Sequence, residues 1–138
     1  MEGILTFDLG TTACKTTLFN LEGDVIAQAE QEYPLYHPQP MWAEQEADDW
    51  WDAAVATCRQ ILAQRDVKIQ GIGLSSQRET MVPLDSQGRP LSRAIVWMDR
   101  RAAGEAEELA REVGREQLHQ RTGMIPDSTF SATKLFWW

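Results

Sequence analysis

Asp8-Leu9-Gly10-Thr11-Thr12, with Lys15 three residues further on, gathers a carboxylate, two hydroxyls and an ammonium around one glycine. Those groups suit a metal-bound phosphate. A carboxylate holds Mg²⁺ directly or through its waters, and backbone N–H groups in such a turn face phosphate oxygens. Gly10 permits positive φ and close approach of a ligand, while Lys15 adds a point charge. The alternative is a β-hairpin whose Asp and Thr residues only cap the turn.

Two later clusters carry a different chemistry. Ser76-Gln77-Arg78-Glu79-Thr80 opens where an apolar stretch ends, a place where open α/β sheets put ligand groups. Arg78 offers five fixed donors and Glu79 two strong acceptors, matching vicinal hydroxyls that each need both. Charged hydrogen bonds of this kind contribute about 1.5–3 kcal/mol each. A surface ion pair is the alternative, although neighbours in a strand point to opposite faces and so do not pair naturally. In Trp97-Met98-Asp99-Arg100-Arg101 the indole can stack on the aliphatic face of a polyol or lie in the core. Asp99 can accept from a hydroxyl or cap a helix.

The elements that must position these groups follow from apolar periodicity. Residues 3–8, 14–20 and 24–32 read as three strands of an antiparallel meander, with a turn at Leu21-Glu22-Gly23-Asp24. The acidic run 44–49 leads into an amphipathic helix through residue 65, because Trp50, Trp51, Ala54, Val55, Cys58, Ile61 and Leu62 recur at helical spacing. Short strands are expected at 69–74, 81–84 and 94–97, and helices at 101–113, 115–122 and 131–138.

At 138 residues and 43% hydrophobic content the chain is one domain's worth or part of a larger domain, with no room for a second. Thirteen basic against twenty-one acidic residues give a net charge of −8, and no basic run offsets it, which argues against nucleic-acid binding. No apolar stretch is long enough to cross a membrane and no leader is apparent, so a cytoplasmic protein is expected. Cys14 and Cys58 lack zinc spacing and are expected to be reduced. Phe130, Leu135, Phe136, Trp137 and Trp138 crowd the last nine residues with apolar surface. The expectation is that a further C-terminal part of the same protein covers it; self-association, as in a homodimer, is the alternative.

Phe7-Asp8-Leu9-Gly10-Thr11-Thr12, the spaced Trp42 and Glu44, Ser76-Gln77-Arg78-Glu79-Thr80, Ile95-Val96-Trp97-Met98-Asp99-Arg100-Arg101, and Thr122-Gly123-Met124 with Phe130-Ser131-Ala132-Thr133-Lys134 together resemble the N-terminal part of FGGY-family carbohydrate kinases. The resemblance implies an α/β, actin-like (ribonuclease-H-like) ATPase domain, partial here, with a mixed sheet and flanking helices. It further implies transfer of the γ-phosphoryl group of ATP, with Mg²⁺, to a sugar or polyol hydroxyl. Carried over by residue, Asp8 would lie at the metal, Gly10, Thr11, Thr12 and Lys15 around the phosphates, and Gln77, Arg78, Glu79, Trp97 and Asp99 at the substrate. The catalytic aspartate and the adenine site would lie beyond residue 138, so this chain alone would lack turnover. Ser-Gln-Arg-Glu-Thr is similar to the glycerol kinase version of its segment, yet Thr129 stands where those kinases carry a tyrosine, which leaves room for a larger polyol or ketose. The rivals are a ribonuclease-H-like nuclease, disfavoured by the acidic balance, and an actin-like or chaperone-like nucleotide switch, which leaves Arg78, Glu79 and Trp97 unexplained.

Overall fold

The computed structural model describes residues 1–63 and 65–138. They fold as two compact units, Met1–Leu35 with Glu46–Gln77, and Tyr36–Gln45 with Arg78–Trp138.

The first unit is a four-stranded mixed sheet with one helix. Strands β1 (Glu2–Leu9), β2 (Ala13–Phe19) and β3 (Val25–Glu32) form the expected antiparallel meander. A later strand, Lys68–Ser76, pairs parallel to β1 at the sheet's other edge. The connection between them contains a helix, Ala47–Leu62, as parallel strands need a long crossover. Asp48 and Asp49 in its first turn and Arg59 in its last complement the helix dipole.

Alternation along β1 and β2 sends Leu5 and Leu18 to the helix side, where they pack with Ala29 and Ile61. Cys14, Tyr33 and Ala53 form a second apolar group, flanked by Phe7, Leu9 and Trp50. A buried hydroxyl pair, Thr16 Oγ1 to Thr57 Oγ1 at 2.7 Å, joins β2 to the helix, with Thr57 also on the Ala53 carbonyl at 2.8 Å. Trp51 corrects the sequence expectation, since it is 72% exposed. Adjacent helical residues lie about 100° apart, so only Trp50 of the pair faces the sheet. Both cysteines are free thiols, Cys14 buried and Cys58 half-buried.

In the second unit, β4 (Glu44–Gln45) pairs antiparallel with a two-residue strand at Ala94–Ile95. With Lys68–Ser76 between them in chain order, these are β5 (Lys68–Ser76) and β6 (Ala94–Ile95), and the crossover helix is α1. The strand expected at 81–84 is only two isolated bridges, Met81 to Ile95 and Leu84 to Pro90. Pro83 supplies no N–H, and Asp85 closes its own turn by accepting from Gln87 and Arg89. The helix expected at 101–113 divides into α2 (Ala103–Leu109) and a π-helical turn, Ala110–Gly114; α3 (Arg115–Thr122) and α4 (Ser131–Trp137) follow. Gly123 ends α3 in the left-handed conformation at φ 72°, its N–H on the His119 carbonyl. Ala94, Ile95, Val96, Ala102, Ala106 and Ala110 are buried. Leu135, Phe136 and Trp138 are exposed, whereas Trp137 packs edge-on against Trp42 at 5.4 Å.

Candidate functional site

In the first unit the turn between β1 and β2 is closed by the Gly10 N–H on the Ala13 carbonyl at 3.0 Å. That N–H is therefore spent inside the turn and does not face a ligand. Gly10 also departs from expectation in not taking positive φ. What favours glycine is space, because a Cβ there would sit 3.3 Å from the Ala13 carbonyl oxygen.

Two side chains brace the turn from outside. Tyr33 donates its hydroxyl to the Gly10 carbonyl at 2.5 Å, and Gln77 Nε2 donates to the same oxygen at 3.0 Å. The Gln77 N–H adds a bond to the Leu9 carbonyl at 3.1 Å. Gln77, read from sequence as a substrate residue, is thus placed against the β1–β2 turn. Burial, then the Cys14 and Asp8 charges, push the Tyr33 phenol up to about 12, so it remains a donor at any physiological pH.

Asp8 and Lys15 are direct cross-strand partners in β1 and β2, so both point to the sheet face opposite the Leu5–Leu18 core. Asp8 is exposed at the end of β1, while Thr11 is half-buried and Thr12 exposed. Lys15 lies 3.6 Å from Glu30, both half-exposed, a pair weak enough to be exchanged for an anion. No group of three metal-ligating side chains occurs among the described residues. One exposed carboxylate still fits Mg²⁺, which is commonly held by one or two carboxylates together with water and substrate phosphates.

In the second unit Glu79 takes φ 61°, a left-handed conformation that costs a residue with a side chain about 1–3 kcal/mol and persists only where its surroundings impose it. Its carbonyl accepts from Lys134 Nζ at 2.6 Å, and its Oε2 accepts from the Ser131 N–H at 3.2 Å and hydroxyl at 3.1 Å. Arg78 is exposed, and among the described residues no ion pair joins it to Glu79. Trp97 is 39% exposed, its N–H on the Thr80 hydroxyl at 3.1 Å, which ties the indole's backbone to the residue after Glu79.

Asp99, also read as a substrate residue, is 1% exposed. Its Oδ2 accepts from the Ala43 N–H at 2.6 Å and Arg101 Nη2 at 2.8 Å, and its Oδ1 from the Arg101 N–H at 2.8 Å and Nε at 2.9 Å. Its carboxylate is therefore committed inside the protein, and it caps no helix, since α2 begins after Ala102 without a side-chain cap. Arg101 also reaches Glu44 at 2.7 Å and lies 3.6 Å from the Trp42 ring centre and 4.9 Å from that of Trp137. Burial pushes the guanidinium down, but hydrogen bonds and charge from Asp99 and Glu44 outweigh it and hold the group above its ordinary range. Nothing in the local pattern around Trp42, Glu44 and Trp137 announces this network, because its members lie up to 95 residues apart.

Residues 3–138 match the FGGY family of carbohydrate kinases, N-terminal domain. A glycerol kinase of Ralstonia pickettii (strain 12J) is 41% identical over 141 residues, covering 99% of this chain and 28% of that protein. The structure is similar to xylulose kinase from Rhodospirillum rubrum (TM-score 0.94, 31% identity, 98% of this chain and 28% of that one). It is also similar to Plasmodium falciparum glycerol kinase with ADP (TM-score 0.92, 26% identity, 99% and 28%). The chain thus spans just over a quarter of the length of these relatives. The mixed sheet with flanking helices is part of the actin-like, ribonuclease-H-type fold. On this match the chain belongs to the FGGY family of carbohydrate kinases.

Proposed function

We propose that the full-length protein carrying this chain transfers the γ-phosphoryl group of ATP to a hydroxyl of a polyol or sugar. The observation that carries this reading is Glu79, whose unfavourable backbone conformation is imposed by its neighbours while Arg78 beside it stays exposed. A carboxylate fixed next to an uncommitted guanidinium offers acceptor and donor together, which is what vicinal hydroxyls require. Half-exposed Trp97 supplies an apolar wall for the carbon chain.

In this reading Asp8 holds Mg²⁺, and Thr11, Thr12 and Lys15 meet the phosphates. The metal neutralises charge on the phosphoryl oxygens, and phosphoryl transfer depends chiefly on such neutralisation and on alignment. Arg78 and Glu79 orient the accepting hydroxyl by gripping its neighbours. Gln77 and Tyr33 act behind the site by fixing the Gly10 carbonyl, and Asp99 acts through Arg101 rather than on substrate. The general base and the adenine site belong to the rest of the protein, which together with residues 1–138 completes the substrate-binding domain and adds a second. With ATP as donor, the reaction is read as cytoplasmic.

The alcohol is a polyol or ketose whose hydroxyls match the Arg78–Glu79 pair. Thr129 adds a short hydroxyl near this region, held at 3.3 Å by Arg100 Nη1. A panel of glycerol, xylulose and gluconate with ATP and the full-length protein tests the reading. ADP release that requires one of these alcohols supports it; ADP release indifferent to all of them favours a nucleotide switch instead.

A further inference from the structure

Lys134 is wholly buried, with 0% of its surface exposed. Placing an ammonium in a protein interior is costly unless it is well partnered. Its Nζ donates to two backbone carbonyls, Glu79 at 2.6 Å and Thr129 at 2.7 Å, and so bridges the Arg78–Glu79 loop to the segment entering α4. One turn earlier in the same helix, Ser131 holds the Glu79 carboxylate through its N–H and hydroxyl. One residue of the loop is therefore gripped at both its peptide and its side chain from a single helix, and that residue takes φ 61°. A left-handed glutamate has no local reason to form, and relaxation to ordinary φ would swing both Arg78 and the Glu79 carboxylate away.

Burial pushes the Lys134 ammonium down from its ordinary range, partly offset by the Asp99 and Glu79 charges and reinforced by Arg100 and Arg101. An apolar side chain would fill the same space without that desolvation cost, but would leave the Glu79 and Thr129 carbonyls without the donor that joins them.

We propose that Lys134, with Ser131, is a positioning residue for the alcohol site, holding Glu79 in the backbone conformation that presents its carboxylate to substrate. This rests on reading Glu79 as a substrate ligand. Lys134 acts on the substrate through the Glu79 backbone, so the part of its effect that the Glu79 carboxylate carries must be lost when Glu79 is alanine.

The test is a double-mutant cycle in the full-length protein, with KM measured separately for ATP and for whichever of glycerol or xylulose is turned over. Lys134→Met is expected to raise the alcohol KM at least tenfold and to leave the ATP KM within twofold. In a Glu79→Ala background that rise is expected to shrink at least threefold, the remainder passing through Arg78. Equal rises in both KM values, or an undiminished effect in Glu79→Ala, would make Lys134 merely structural and overturn the inference. A raised alcohol KM in Glu79→Ala with an unchanged one in Lys134→Met overturns the positioning role alone, whereas an unchanged KM in Glu79→Ala removes the substrate reading beneath it. Should Lys134→Met not accumulate as folded protein, Ser131→Ala takes its place in the cycle. There a several-fold rise in alcohol KM, absent in the Glu79→Ala background, supports the proposal, and no rise refutes it.

Discussion

Arg78 and Asp8 carry the two halves of the proposed chemistry, and each can be removed without disturbing a buried contact because both are exposed. Arg78→Ala deletes charged hydrogen bonds to substrate worth about 1.5–3 kcal/mol, so kcat/KM for the alcohol is expected to fall roughly 10- to 150-fold with thermal stability unchanged. Steady-state kinetics beside a melting curve checks both parts, and an unaltered kcat/KM would take Arg78 out of the site. Asp8→Asn is expected to lower kcat roughly 10- to 100-fold, most severely at limiting Mg²⁺. A Mg²⁺ titration that superimposes on the wild type would deny it that role. Residue types single out these two positions in the sequence, since few other side chains serve a metal-phosphate or a polyol. The same logic picked out Gln77 and Asp99 as substrate residues. An amide or carboxylate in a ligand-rich stretch looks alike whether it faces substrate or, as here, the Gly10 carbonyl and the Arg101 guanidinium.

At the scale of elements, local periodicity sufficed where the neighbours in space are also neighbours in sequence. The β1–β3 meander, the start of α1 and α3 lie within two or three residues of their expected bounds; α1 ends at Leu62, and of the expected continuation through 65, residue 64 lies outside the described residues. It failed where pairing is long-range and short. The two-residue strands β4 and β6 lie about fifty residues apart, and Glu44–Gln45 carries no strand pattern of its own. The Thr16–Thr57 hydroxyl pair was equally invisible, yet it has a measurable consequence. Thr57→Val leaves the buried Thr16 hydroxyl without this partner and should cost about 1–3 kcal/mol, seen as a lower urea midpoint; an unchanged midpoint would show that the pair contributes nothing net. Tyr33 gives a pH-dependent prediction. Its phenol rises from 10.0 to about 12 in the folded protein, so its neutral form stabilises the fold fully below pH 10, and that contribution is lost as pH rises through 12. Tyr33→Phe should flatten this alkaline loss in unfolding measured between pH 9 and 12, and an identical pH profile would contradict the assignment.

For the whole molecule, the division into two compact units was not read from the sequence, although Pro34, Pro38 and Pro40 punctuate the place where the chain leaves the first unit at Leu35. The second unit is organised around buried charge rather than a large apolar core: Asp99 and Arg101 are almost wholly enclosed, with Glu44 beside them. The most direct measurement is ³¹P NMR of the full-length protein with Mg²⁺, ATP and each alcohol in turn. A phosphate monoester of one alcohol, growing in step with ADP and lost in Arg78→Ala, is the predicted result. Inorganic phosphate as the sole product with every alcohol would contradict the account.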